Sequence, residues 1–456
     1  MNESLRAPLA FTLMAIMLLA VGILQSWPLS LAILNLCLIS AIMALGVNIQ
    51  WGYAGLLNVG IMGFTAIGGL AAVLVSQAPV KEAWVAGGSG MFASLLIVII
   101  VIAIIVAIRK YIKNLLARRF SIFITLIIGM VLLNQFYDPA VSSIEAIEPA
   151  KTGFLGGLGI PIIFSWAVGG FLAAGVAWII GKVTLGLRSD YLAIATLGIS
   201  EIIIAVLKHE DWLSRGVKNV TGLPRPVPYE VDLQNSERFI SLIESINKNK
   251  LSELIDTAQY NETLRSIVIE SSSIFVKLCY SGLLFSVLIV ILYLSNRALN
   301  SPWGRMMRSI RDNEEAANAM GKNVVKQHLQ VFILGSAVVG IAGAMLTTLN
   351  GQFTPASYQP LRFTFLIWIM VIVGGSGNNL GSILGGFFIW FLWIEAEPMS
   401  IFIMNMLTSG LSDTSLLKEH LVKSSPHLRL FIMGLVLLVT LRFRPKGILP
   451  EKVRHA

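Results

Sequence analysis

The sequence predicts an all-α polytopic membrane protein with about twelve membrane helices, some of them short or broken. Three observations carry this expectation. Mean hydropathy is +0.77 and charged residues are 13% of the chain, against roughly 25% for soluble domains. Apolar runs repeatedly approach or reach the ~20 residues that a helix needs to cross a bilayer. Lys and Arg gather between those runs, so the net charge of +9 reads as loop charge and not as a nucleic-acid surface.

In chain order the spans fall near 7–24, 29–49, 54–75, 91–108, 120–136, 162–181 and 191–207. Past a polar gap they fall near 274–295, 329–349, 363–373, 381–394 and 428–441. Arg6 precedes the apolar run from Leu9 to Leu24, and no clear small-residue cleavage site follows, so this run is a first span and not a removed leader. The segments 363–373 and 381–394 are too short to cross without tilt or a re-entrant turn. Ile401 to Leu407 is shorter still and is expected at the interface. The organisation that follows is an N-terminal transmembrane bundle over 1–207, an extracytoplasmic loop over 208–273, a C-terminal bundle over 274–441 and a basic tail over 442–456.

Orientation follows from the loops. Arg109 to Arg119, Lys182 with Arg188, Arg297 to Lys326, and Arg442 to Arg454 all fall on one side with the N-terminus, the cytoplasmic side by charge. The opposite loop 137–161 carries Asp138, Glu145 and Glu148. In the long outer loop, Phe239, Leu242, Ile243 and Ile246 have helical spacing, as do Leu251, Leu254 and Ile255. One or two short amphipathic helices are expected there, inserted between Val231 and Glu270.

No catalytic constellation is visible. The five histidines are scattered, no His-Glu-x-x-His or paired-cysteine motif occurs, and Cys37 and Cys279 lie inside apolar runs as small buried residues. No Walker A sequence is present, so nucleotide hydrolysis, if used, belongs to another chain. No metal site is expected. The main intramembrane carboxylate is Glu201, which must face the bundle or water. It either lines the path or pins a helix polar group, or it is a helix-end residue hydrogen-bonded near the interface. Asn48, Gln50 and Asn58 flank a small-residue stretch containing Gly52, Gly55 and Gly60, where helices can approach closely or break. Gly374, Gly375 and Gly377 mark a tight turn between the two short spans.

The polar island Ser301–Asn323 holds helix punctuation. Ser301 and Pro302 suit a helix start, and Trp303, Met306, Met307 and Ile310 share one face. Asp312 or Asn313 can cap a second short helix whose first turn holds Glu314 and Glu315, and Gly321 is placed to end it in the left-handed conformation. Ala316, Ala317 and Ala319 give it a small-residue surface.

Glu314, Ala316, Ala317 and Gly321 match the Glu-x-Ala-Ala-x-x-x-Gly loop of ABC-importer permeases. The fuller run from Ser301 through Asn313 resembles the permeases of branched-chain amino-acid importers. Further resemblances are the Ala195-Thr196-Leu197-Gly198 span with Glu201, the Gly52, Ala54, Gly55 and Gly60 region, the glycines 374, 375, 377 and 381, and the ending Phe443-Arg444-Pro445. Departures occur at Leu223 and Pro226, where the family's outer loop carries glycines, and at Ser382, where a proline often stands.

The resemblance implies an ABC-importer permease fold with helices broken near the middle. It implies a cytoplasmic coupling loop over 296–328, with Arg311, Glu314, Ala316, Ala317 and Gly321 facing an ATPase subunit. It places Asn48, Gly52, Gly55, Asn58, Gly60, Glu201, Gly374, Gly375 and Gly377 along the path or at helix breaks. It also implies no cofactor on this chain, with ATP and Mg held by partner ATPase subunits. The implied partners are a second permease, two ATPase chains, an extracytoplasmic binding protein and the lipid bilayer of the bacterial inner membrane. Branched-chain or related hydrophobic amino acids are the implied substrates. Urea or short amides in the same family, or an ion-coupled secondary transporter, are the alternatives.

Overall fold

Twelve apolar segments become twelve helices in the computed structural model, which describes residues 3–149, 151–252, 257–410 and 415–451. They are α1 (Glu3–Leu24), α2 (Trp27–Val47), α3 (Ile61–Ser76), α4 (Lys81–Tyr111), α5 (Leu115–Glu145), α6 (Phe164–Thr184) and α7 (Ser189–His209). Then follow α8 (Thr257–Leu299), α9 (Val324–Asn350), α10 (Pro360–Gly374), α11 (Asn379–Leu407) and α12 (Leu428–Phe443). Ten of the described helices are long and apolar enough to cross a membrane, and α3 and α10 are shorter. Local chemistry sets their ends. The Ser26 hydroxyl accepts from the Leu29 amide and Pro28 lies in the first turn of α2. Pro360 opens α10, and Gly351 at φ +65° closes α9.

The centre of the bundle is α3, buried on almost every side between α6, α7 and α9. Close approach explains its composition. A Cβ on Gly68 would sit 1.9 Å from the Gly340 carbonyl oxygen, and one on Gly343 would sit 2.1 Å from that of Thr65. Backbones this near need glycine, and lipid offers no hydrophobic drive to replace such packing. At the periphery, α4 and α5 form a hairpin that buries few residues, among them Gly87, Ala140 and Ile144, and leaves its apolar surface outward. At the end of the bundle opposite the basic loops, Val220–Thr221 pairs antiparallel with Gln352–Phe353.

Three expectations change. The segment near 381–394 is not short, because α11 runs 29 residues and takes in Ile401–Leu407, which is therefore not a separate interfacial piece. Its polar interruptions are matched by partners. Gln25 donates to Glu395 at 2.9 Å, Arg429 pairs with Glu397, and Pro398 is carried within the helix. The span near 54–75 begins instead at Ile61, because residues 55–60 form a non-helical segment that alternates between half-buried and buried residues.

In the long loop, the spacing of Phe239 to Ile246 gives the helix Glu237–Ile246. Leu251 lies in the helix Lys248–Ser252, while Leu254 and Ile255 fall outside the described residues. From Thr257 onward the chain is already part of α8.

Candidate translocation and coupling site

The break between α2 and α3 is a built structure. Helix α2 continues as a π-turn over Asn48–Gly52, a form frequent at functional sites. The Asn48 side chain accepts from the Gly377 amide at 2.9 Å and donates to Asn379 at 2.9 Å, and Asn379 donates onward to Asn296 at 2.7 Å. Gly52 is required here, since an added Cβ would stand 2.5 Å from the Gly377 nitrogen. Beyond it the chain turns at Gly55, φ +70°.

Backbone groups of 55–60 that lack helical partners are then taken up by side chains, as irregular structure inside a membrane requires. Asn58 Oδ1 accepts from the Gly60 amide, Asn58 Nδ2 donates to Gln50, and Gln50 donates to the Phe332 carbonyl and Ser336. Trp368 donates to the Asn58 carbonyl, Thr196 accepts from Val59, and Ser200 accepts from Gly63.

The glycine turn after α10 packs directly on this break. Gly375 and Gly377 have φ of +120° and +79°, and a Cβ on Gly374 would meet the Gly381 carbonyl at 2.0 Å. The tail closes over the turn: Ile448 and Leu449 amides donate to the Val373 and Gly374 carbonyls, and Asn378 donates to the Pro450 carbonyl.

Between α8 and α9 lie two short helices, Pro302–Asp312 and Glu314–Ala319. Met307 and Ile310 bury one face of the first, and Trp303 donates to Gln330 at 2.9 Å. Ser301 stands at its N-cap position, but its hydroxyl bonds to the Ala298 carbonyl and does not cap the helix. Asn313 caps the second helix through the Ala316 amide at 2.9 Å. Gly321 leaves that helix at φ +76°. Glu314, Glu315 and Ala316 are exposed, whereas Ala317 is buried within the chain. The free small-residue surface is thus Ala316 and Ala319.

Arg311 points inward from this pair of helices. It donates to the Gly52 carbonyl oxygen, pairs with Glu451 at 2.9 Å and with Asp312 at 3.0 Å. Its Cγ lies 3.3 Å from where a Gly55 Cβ would be. Burial works against its charge, but the hydrogen bond and field of Glu451 outweigh this and raise its pKa.

The structure therefore gathers Asn48, Gly52, Gly55, Arg311, Gly374, Gly375 and Gly377 at the basic end, with Asn58 and Gly60 in the non-helical segment that leads into α3. Glu451, Asn379 and Asn296 join them without any motif that marks them in the sequence. Glu201 does not join them. It is exposed on α7 and lines a cavity of about 1030 Å³ near the opposite end, with Lys208, Arg362 and Arg429. A second, apolar cavity of about 270 Å³ lies between α2, α3, α9, α10 and α11. Among the described residues no cluster of His, Cys, Asp and Glu suited to a metal ion occurs.

Residues 120–441, more than half of the chain, match the family described as branched-chain amino acid transport system / permease component. The high-affinity branched-chain amino acid transport system permease protein LivM of Escherichia coli is 26% identical over 219 residues, 48% of this chain and 47% of that protein. The probable branched-chain amino acid transport permease protein LivM of Methanocaldococcus jannaschii is 28% identical over 170 residues, 37% of this chain and 45% of that one. The fructose import permease protein FrcC of Rhizobium meliloti is 27% identical over 110 residues, 23% of this chain and 30% of that protein. The chain spans about half the length or less of these relatives. No solved structure matches. With the match running from within α5 to within α12, this polytopic membrane protein belongs to the branched-chain amino acid transport system permease component family.

Proposed function

We propose that this chain is the permease subunit of an ATP-driven importer of the bacterial inner membrane, passing branched-chain or related hydrophobic amino acids inward, with both termini cytoplasmic. A second, related permease chain would complete the path, an extracytoplasmic binding protein would deliver substrate, and two ATPase subunits would hold ATP and Mg. The observation that carries this reading is the link from the exposed helix Glu314–Ala319, through Arg311, to the carbonyl of Gly52 at the break of α2. A partner that moves the exposed helix moves the broken one with it. Closure of the ATPase pair pushes residues 314–321, the shift reaches Gly52 and the glycine turn, and the path opens toward the binding protein. Exposed Glu314 and Ala316 offer the docking surface, and Gly321 fixes the exit of the loop.

The test is reconstitution in vesicles of this chain with its partner permease, ATPases and binding protein, offered leucine, isoleucine, valine, urea and a short amide. ATP-dependent uptake of the branched-chain amino acids is expected. Uptake by this chain alone, driven by an ion gradient, would overturn the reading.

A further inference from the structure

After α12 ends at Phe443, the chain turns back at Gly447, φ +76°, and lies across the glycine turn that follows α10. The last carbonyls of a helix have no partner within it. Here the Ile448 and Leu449 amides, each at 2.9 Å, fill those of Val373 and Gly374, and the Asn378 side chain holds the Pro450 carbonyl at 3.1 Å. The fit is close, since a Cβ on Gly375 would stand 2.2 Å from the Leu449 carbonyl oxygen, and the Leu449 side chain is buried. Capping of α10 accounts for residues 447–450. It does not account for Glu451, whose carboxylate accepts from Arg311 Nη1 at 2.9 Å. That same nitrogen donates to the Gly52 carbonyl, while Arg311 Nε donates to Asp312 at 3.0 Å. The two carboxylates differ in place: the Glu451 side chain is 19% exposed and that of Asp312 is 66% exposed.

We infer that residues 444–451 form a strap that holds Glu451 in place, and that Glu451 is the positioning residue that keeps Arg311 aimed at Gly52. The inference rests on the importer reading above and names what holds its coupling arm. An arginine side chain is long, and fixing it in one direction costs rotamer entropy. Its guanidinium forms strong charge-assisted bonds with a carboxylate in reach. Asp312 is the next residue on the same short helix and travels with Arg311, so it gives no inward direction. Glu451 is anchored to a different element, through the strap to the end of α10. With Glu451 in place, one hydrogen of Nη1 meets the carboxylate and the other meets the Gly52 carbonyl. Without it, the guanidinium is free to swing toward exposed Asp312 and water, and the Gly52 carbonyl loses its donor. The strap also ties the loop helix to α10 as well as to α2. A push on the loop would then act on the broken helix and on the glycine turn together.

The assembled importer in vesicles is assayed for leucine uptake per ATP hydrolysed, with ATPase co-purification and melting temperature as checks on assembly. Glu451→Ala is expected to lower uptake per ATP about fivefold or more while the ATPase stays bound. Glu451→Asp keeps the carboxylate and is expected to stay within about twofold of wild type. Adding Glu451→Ala to Arg311→Ala is expected to bring no further loss, because residues that act as one unit are not additive. Wild-type uptake per ATP in Glu451→Ala overturns the inference and leaves the importer reading standing. A change confined to yield and melting temperature assigns the strap to stability alone and overturns it too. A further loss in the double variant places Glu451 outside the Arg311 link, with the same consequence. A wild-type complex without ATP-driven leucine uptake overturns both.

Discussion

Replacing Arg311 with alanine tests the link between the loop helices and the broken helix. The guanidinium bridges the Gly52 carbonyl and Glu451, with side-chain exposures of 25% and 19% for Arg311 and Glu451. A hydrogen bond to a charged group contributes about 1.5–3 kcal/mol. Stranding a fully buried partner costs about 3–5 kcal/mol, and the residual exposure here places the loss below that range. An effect of about 2–3 kcal/mol corresponds to a roughly 30- to 150-fold shift in an equilibrium. Under the proposed function, that shift falls on the coupling between ATP hydrolysis and transport. The assay measures ATP turnover and leucine uptake together in vesicles, with the melting temperature of the purified complex as the stability control. The expected outcome for Arg311→Ala is ATPase association with uptake per ATP reduced at least tenfold. Arg311→Lys reaches one partner but lacks the fork that serves two, so an intermediate loss is expected. Wild-type uptake per ATP in Arg311→Ala would refute the idea that the loop acts through Gly52.

Three further outcomes are expected. Gly68→Ala puts a methyl group 1.9 Å from the Gly340 carbonyl oxygen, and overpacking of about 1–3 kcal/mol or more should lower the yield of folded protein on size-exclusion chromatography; normal yield and melting would show that α3 and α9 can separate. Gly321→Val meets no atom within 4 Å but sits at φ +76°, so conformational strain of about 1–3 kcal/mol should redirect the loop exit and remove ATPase co-purification while insertion remains normal. Cysteines placed at exposed Ser309 and Ser241 should label from opposite faces of the membrane, and labelling of both from one face would break the proposed topology.

The fold was legible where physics acts locally. Helix spans follow from apolar length, and Asn313 and Gly321 perform at the ends of the short loop helix what their chemistry dictates. The misread elements depend on distant partners. The span near 381–394 continues through Glu395 and Glu397, whose partners are remote in sequence: Gln25 lies 370 residues from Glu395 and Arg429 lies 32 residues from Glu397. Arg311 was legible as part of the loop. Its inward direction was not, since Gly52 is 259 residues away and Glu451 is 140. Ala317 carries the same motif as Ala316, yet only the packed structure separates the buried alanine from the exposed one.

That long-range pattern also explains how the break can be both stable and movable. Its deep half is fixed by side chains from several helices: Gln50 of the π-turn, Thr196 of α7, Ser336 of α9 and Trp368 of α10. Releasing any of these inside a membrane leaves a polar group unpaired, at a cost of about 1–3 kcal/mol each. Its shallow half has a different character. Gly52 and Gly55 meet Arg311, and Gly377 meets Asn48 and Glu451, at the basic end beside the exposed loop helices. Under the proposed function, a push on Glu314–Ala319 therefore displaces the shallow half first. Under the same proposal, the Gln50 and Asn58 network would be the fixed point about which α2 bends, and the positive φ of Gly55 would supply the backbone freedom between the two halves.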